Sequence, residues 1–456
     1  MICFHLPLLE CFSAVRHRPA CLRDRMKTKN SGFAALRSAL ANPDFRHYTS
    51  GNVFSYLAYW IQRITVGWLT WKLTGSPFWL GLMSFGDLAP SVGLAPLAGA
   101  VADRVDRLRA IRVTQSLAAL QAAILSILTW TGFITVGWLL ALTFCLGVIM
   151  AFNQPLRLAA FPSLVDRKDM PAAISINSLI FNIARIVGPA AAGIIIEQID
   201  IAPCFALCAV FYFVFVITLL YVRTGATKPK GPSKPLSNIP IEIMEGVRYS
   251  VHHPGVAPVM MVMAVSAVFG RAFVELLPGF SGAVFGLGAD GLAMLTSSMG
   301  AGAIVGGLVL ATRVSVTGLT RIMTRGVLVF SVAVLGFAVA PNIWVGMALC
   351  AVNGYASVTL GISNQTLVQN SIEATVRGRV MSLYGMIARA GPALGALAMG
   401  AASEVFGLRW PVVVGAALVL LMWLWLRPQR QRLAEVLERE PVLDAEEHPP
   451  EPTPPR

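Results

Sequence analysis

This chain is short of charge. Only 13% of its 456 residues are Asp, Glu, Lys or Arg, while 56% are hydrophobic and the mean hydropathy is +0.67. A water-soluble domain carries about a quarter charged residues, so that class is excluded. Catalytic groupings are scarce as well. The six histidines (His5, His17, His47, His252, His253, His448) fall outside the apolar runs or at their margins. There is no His-Glu-x-x-His, no phosphate-binding loop and no serine-centred elbow. The seven cysteines (Cys3, Cys11, Cys21, Cys145, Cys204, Cys208, Cys350) form no C-x-x-C pair. They give neither a disulfide framework nor a metal site, and Cys204 and Cys208 read as small packing residues on one helix face. No enzyme, no metal and no bound cofactor are expected.

What is present is apolar sequence in membrane-sized pieces. Twelve runs lie near 48–71, 78–102, 109–131, 136–157, 171–197, 202–222, 256–280, 290–311, 319–340, 342–366, 378–402 and 409–427. Each approaches the roughly 20 residues that a bilayer core requires. The net charge of +13 is no sign of nucleic acid, because the Lys and Arg sit in short loops between these runs. The loops after the second, fourth, sixth, eighth and tenth runs hold the basic residues, among them Arg104, Arg107, Arg109, Arg167, Lys168, Arg313, Arg377 and Arg379. The opposite loops hold little beyond Lys72 and Arg409. Positive charge marks the cytoplasmic side, so both termini are expected there.

Residues 223–255 interrupt the series with a Lys-, Pro- and Gly-rich stretch that turns amphipathic in IEIMEGVRYSVHH. The chain therefore divides into a basic tail (1–47), a six-helix half (48–222), a linker (223–255), a second six-helix half (256–427) and a Pro/Glu-rich tail (428–456). The last is expected to be disordered. Met26 reads as a true start. The halves echo each other: Asn153-Gln154-Pro155-Leu156 answers Asn364-Gln365-Thr366-Leu367, and Ile183-Ala184-Arg185 with Gly188-Pro189-Ala190 answers Ile387-Ala388-Arg389 with Gly391-Pro392-Ala393. Duplication accounts for both matches, as in transporters built from repeats. Gly300-Ala-Gly302 through Gly306-Gly307 lies within a span and reads as close helix packing rather than a nucleotide loop.

The stretch LAPLAGAVADRVDRLRAIR, 94–112, ends an apolar run in a mixed-charge knot. Its order, Gly99-x-x-x-Asp103-Arg104-x-x-Arg107, resembles the loop between helices 2 and 3 of the major facilitator superfamily. WIQRITVGWLTWKLTGSPFWLGL (60–82) and RGRVMSLYGM (377–386) resemble the branch that includes the bacterial enterobactin exporter. The resemblance covers about residues 36 to 427. It implies an all-α polytopic membrane protein, twelve transmembrane helices in two pseudo-symmetric halves, in a bacterial inner membrane. It also implies a gate at Gly99, Asp103, Arg104 and Arg107. The second copy is worn, with Thr312 where an acid would fall.

Charges at mid-membrane are expensive and mark function by default. Counting 1.5 Å per residue puts Arg63 and Asp87 at similar depth, about 20 Å, on neighbouring spans. They read as an ion pair that either ties the spans together or releases Arg63 to substrate when Asp87 takes a proton. Asp87 and Glu275 are the candidates for proton coupling. Arg63, Arg185, Arg271 and Arg389 outnumber these acids, which suits an anionic substrate; some of them instead bond carbonyls or snorkel. Asn153, Asn182 and Asn364 either line a central cavity or bond between helices. Arg185 leading into Gly188-Pro189-Ala-Ala-Ala-Gly193 resembles the span-5 signature of proton-coupled antiporters, which implies a local bend and tight packing there and, by the repeat, at Gly391-Pro392.

The expectation is a secondary transporter embedded in lipid, acting as a monomer, with the proton gradient as energy source. A small anionic, siderophore-like molecule or a drug would be its substrate, exported by alternating access. An importer or lysophospholipid-type transporter of the same fold is the alternative, and a non-transporting membrane sensor a distant one.

Overall fold

A computed structural model describes residues 37–166, 169–223, 239–313 and 315–438. The basic tail up to residue 36, the start expected at Met26 and the tail after 438 lie outside the described residues. Those that are described are helical throughout, with no strand among them. The first half holds α1 (Pro43–Thr74), α2 (Pro77–Gly93), α3 (Ala95–Arg104), α4 (Arg107–Trp130), α5 (Val136–Leu164), α6 (Met170–Gln198) and α7 (Ile201–Leu220). A linker helix, α8 (Ile239–His252), leads to α9 (Val256–Val284), α10 (Ala289–Ala311), α11 (Leu319–Ala338), α12 (Ile343–Ser371), α13 (Ala374–Phe406), α14 (Arg409–Leu426) and a short α15 (Arg430–Leu437).

Ten helices among the described residues are long and apolar enough to cross a membrane. The other two spans of the expected twelve are α1, diluted by its polar residues, and the pair α2–α3. The second run is thus not one helix. It breaks at Leu94, between Pro90 inside α2 and Pro96 at the start of α3. A proline offers no N–H to the turn before it, so two of them six residues apart leave a weak point.

Local chemistry sets the turns. At Thr74-Gly75-Ser76-Pro77, Gly75 takes φ 60°, the left-handed conformation that ends α1. Ser76 then caps α2 through a bond from the Trp79 N–H, and Pro77 fills the first helical position, where no N–H is needed. Small residues set the packing. A Cβ on Gly302 of α10 would fall 1.8 Å from the Ala351 carbonyl oxygen of α12. One on Gly354 of α12 would fall 1.9 Å from the Met299 carbonyl. These two helices touch backbone to backbone.

Both Gly–Pro pairs lie within helices, α6 and α13, that continue through them. Their glycines make close contacts, and symmetrically: a Cβ on Gly188 would meet Trp60 of α1 at 2.6 Å, and one on Gly391 would meet Ala267 of α9 at 2.6 Å. The irregular helix is α9, which has π turns at Ser266–Gly270 and Phe280–Val284 with a 3-10 turn between.

The C-terminal expectation needs correcting at residues 430–437. Arg430–Leu437 is a docked helix whose Leu433 and Leu437 are buried. The Glu438 carboxylate accepts from the Gly318 and Thr320 N–H groups at 2.6 and 2.7 Å, capping α11. Composition hid this, because two leucines and one well-placed acid suffice to seat two turns.

Two predictions follow from packing and capping. Gly302→Ala is expected to cost about 1–3 kcal/mol through overpacking, read as a lower melting temperature of the purified protein. Gly99→Ala, where a Cβ meets nothing within 4 Å, is expected to leave it unchanged. At the α8–α9 joint, His253 Nδ1 accepts from the N–H groups of Gly255 and Val256 at 3.2 and 3.1 Å. Burial, the largest influence, pushes the His253 pKa below its ordinary 6.5. The folded value being the lower one, this cap contributes fully above 6.5 and is lost as pH falls through the folded value. Melting temperature should therefore drop in acid, and less so in His253→Asn; equal drops would place the acid sensitivity elsewhere.

Candidate functional site

The two halves meet at the ends of their helices that carry residues 75–76, 199–200, 285–288 and 407–408. There α2 lies on α13, α6 on α10 and α1 on α9. A Cβ on Gly81 would stand 2.3 Å from the Ala396 carbonyl, on Gly400 2.5 Å from the Pro77 carbonyl, and on Gly193 2.4 Å from Ala293. Glu404 of α13 reaches across to accept from the Ser76 hydroxyl and, at 3.2 Å, from the Phe78 N–H at the start of α2. Toward the other end, α3 packs on α5 of its own half and makes no comparable contact with the second half among the described residues. The protein is closed at one end.

Where the contact begins, α1 carries Arg63. Its guanidinium donates through Nη1 to Asp87 Oδ2 of α2 at 2.8 Å and through Nη2 to Glu275 Oε1 of α9. The Tyr59 hydroxyl accepts from Nη1 at 3.4 Å. The three charged side chains are 22%, 14% and 16% exposed, so they are largely removed from water yet reachable. One cation thus joins two acids that belong to different halves. Removing one partner of such a set strands a charge at about 3–5 kcal/mol.

Arg185 and Arg271 complete the cluster. Each is near enough to Arg63 to feel its charge, and Arg185 lies over the Trp60 ring at 5.9 Å. Arg271 stands close to Glu275 and Tyr384. Three arginines against two carboxylates leave an excess of one positive charge. Arg389 is exposed on α13 and forms no hydrogen bond or ion pair with described residues.

The amides divide. Asn153 is buried within the first half, donating to Thr114 Oγ1 at 2.7 Å, and Asn182 donates to the Ser178 carbonyl of its own helix. Asn364, the counterpart of Asn153, is 1% exposed and its amide finds no partner among the described residues. At the expected gate, Arg107 donates to the Ala159 carbonyl at 2.9 Å and so ties α4 to α5. Asp106 caps α4. Arg104 is the last residue of α3, and Asp103 and Gly99 share that helix with it.

One residue escaped the sequence reading. Arg157 is 4% exposed and donates to Asn52 Oδ1 and Ser55 Oγ, both at 2.6 Å. It also lies over the rings of Tyr56 and Phe215 at 5.0 and 5.1 Å. Asn52 and Tyr56 donate in turn to Asn177 Oδ1. The apolar run looked finished at Arg157, yet α5 continues to Leu164 and carries it two turns inward.

A family model described as transmembrane secretion effector matches residues 31–452, nearly the whole chain. The chain belongs to this family. That family falls in the major facilitator superfamily of transporters. It is 28% identical over 365 residues to the staphyloferrin A transporter of Staphylococcus aureus, covering 80% of this chain and 90% of that one. Over 376 residues it is 24% identical to the enterobactin exporter EntS of Salmonella typhi, covering 78% and 83%. Among solved structures, the nucleoside transporter NupG superposes with a TM-score of 0.68 at 12% identity, covering 84% of this chain and 98% of that one. That likeness concerns the fold. The chain is a multi-pass membrane protein of a transporter family.

Glu404 makes the closed end testable. An acid at a helix N-terminus stabilises by about 0.5–1 kcal/mol when exposed. Glu404→Ala should therefore raise the population open at that end by about two- to fivefold. Spin labels at residues 73 and 406 would report it as a longer distance; an unchanged distribution would remove the carboxylate from the closure.

Proposed function

We propose that the protein is a proton-coupled exporter of a small anionic, siderophore-like molecule, working by alternating access. The observation that carries this reading is Arg63 bridging Asp87 and Glu275 across the two halves. The basic loops assign the open end to the cytoplasm, so this state would load its cargo from inside the cell. Expected occupants are the bilayer around a monomer and the small molecule within it.

Two events break the bridge. An anion entering from the open end competes with the acids for Arg63, helped by the net positive charge that Arg185 and Arg271 provide. A proton on Asp87 or Glu275 removes the charge that Arg63 was holding. A carrier tied when empty and freed by either ligand exchanges one for the other, with anion outbound and proton inbound. Asp103, Arg104 and Arg107 would then close the cytoplasmic end once the opposite one has opened. The similarity to two siderophore transporters, those of staphyloferrin A and enterobactin, supports the anionic cargo. We read the protein as a transporter rather than an enzyme.

The same charge excess favours a second reading. If anion and proton bind together, the carrier takes both up. Everted membrane vesicles separate the two. With an acid lumen, exchange predicts accumulation of an iron-free catecholate siderophore, lost in Asp87→Asn. Accumulation driven instead by an acid exterior would establish uptake. Undiminished flux in Asp87→Asn would remove that residue from coupling, and accumulation of a lipophilic cation alone would make the arginines structural.

A further inference from the structure

Glu275, the acid that joins the second half to the bridge, stands on an irregular helix. In α9 the Arg271 N–H bonds to the Ser266 carbonyl at 2.8 Å, five residues back, closing a π turn. The Val274 N–H bonds to the Arg271 carbonyl at 3.3 Å, three residues back, within the 3-10 turn Ala272–Leu276. Pro278 disfavours a regular helix here, having no N–H for the Val274 carbonyl and a ring that crowds it. Short 3-10 and π stretches inside a long helix mark hinges and functional sites. A π turn is wide and a 3-10 turn tight, so their departures offset, and both can relax to α-helix with little rotation of the helix ends.

Arg271 sits at the junction of the two turns. Its side chain is exposed and forms no hydrogen bond or ion pair with described residues. It faces the space between the halves, near Glu275 on its own helix, Arg63 of α1, Arg185 of α6 and Tyr384 of α13. It is also the counterpart of Arg63. Trp60 and Ala267 make matching contacts with Gly188 and Gly391; Arg63 follows the first by three residues and Arg271 the second by four, the π turn absorbing the difference. Each residue turns a 3-10 helix by about 120°, so Glu275 stands about 120° round α9 from Arg271 and reaches Arg63 instead. In an α-helix the same four residues bring two side chains within about 40°, where i and i+4 partners form ion pairs.

We propose that Arg271 receives Glu275 when an anion takes Arg63: Ala272–Leu276 rewinds to α-helix, Glu275 exchanges partners, and the closed end opens. Through the exchange Glu275 keeps a cation as it leaves the first half, so separation strands no charge. Without Arg271 the displaced carboxylate would be left unpaired between the halves and would return to Arg63 against the anion. Arg271 thus converts occupancy of the site into motion, as a coupling residue rather than a cargo ligand. Asp87, Tyr59 and Arg63 stay together in the first half throughout. The trigger rests on the anionic cargo proposed above; the exchange of partners does not.

Zinc tests the exchange without any cargo. Two histidines four apart on one face of an α-helix grip Zn²⁺, whereas in the 3-10 form the pair would stand about a third of a turn apart. In Arg271→His with Glu275→His, zinc is expected to bind and to lengthen the distance between spin labels at residues 73 and 406, with either single variant unaffected. Zinc that does not bind, or binds without lengthening that distance, would overturn the exchange. A milder substitution tests the trigger, with an iron-free catecholate siderophore as the probe. At saturation Arg271→Gln is expected to lower the ratio of open to closed molecules about tenfold, with Arg271→Lys restoring it and no further effect in a Glu275→Gln background. Full opening of Arg271→Gln at saturating siderophore would overturn the coupling role and make Arg271 a cargo ligand. A siderophore that fails to bind the unaltered protein would count against the anionic reading, and zinc alone would then decide the exchange.

Discussion

The arrangement depends on one guanidinium held between two carboxylates from opposite halves of the molecule. Arg63 and Asp87 alone would be a local tie between neighbouring helices. Glu275 changes its meaning, since α9 belongs to the other repeat and can leave with it. In a medium of low dielectric such a bridge is strong while intact and costly when one partner goes. It is therefore a two-state contact, of the kind a protein that must open and close can use.

Around that contact the halves approach through glycines. Gly81 and Gly400 bring α2 and α13 to backbone distance, and Gly193 does the same for α6 against α10. No hydrophobic effect drives helices together within lipid, so close van der Waals packing takes its place. Such surfaces separate without exposing large side chains that would need new partners. Glu404 adds a polar contact at the rim. Within each half the glycines are used differently: Gly302 and Gly354 lock α10 to α12, a contact with no part in opening.

The repeats have diverged in chemistry while keeping their geometry. Gly188 against α1 and Gly391 against α9 are related contacts, and both Gly–Pro pairs sit inside unbroken helices. The polar interior is unequal. Arg157, Asn52, Ser55, Gln115 and Asn177 form a connected network in the first half. In the second, Val368 stands where Arg157 would recur, and Asn364 is left without a partner among the described residues. The bridge thus runs between a half tied by a polar network and an irregular α9 in the other.

Composition and period by themselves determined the membrane class, the spans and the duplicated halves, because water and lipid sort residues by hydropathy over twenty-residue lengths. The depth count brought Arg63 and Asp87 together, since helix rise is nearly constant and the two spans are joined by a short turn. Only the tertiary structure decided the rest. Glu275 joins Arg63 from 212 residues away, a pairing that no local rule reaches. Arg157 was hidden because an arginine ends an apolar run on paper, while in the folded half two hydrogen bonds and two aromatic faces receive it. The docked α15 was likewise settled by packing, which overrides local composition when a few side chains find partners.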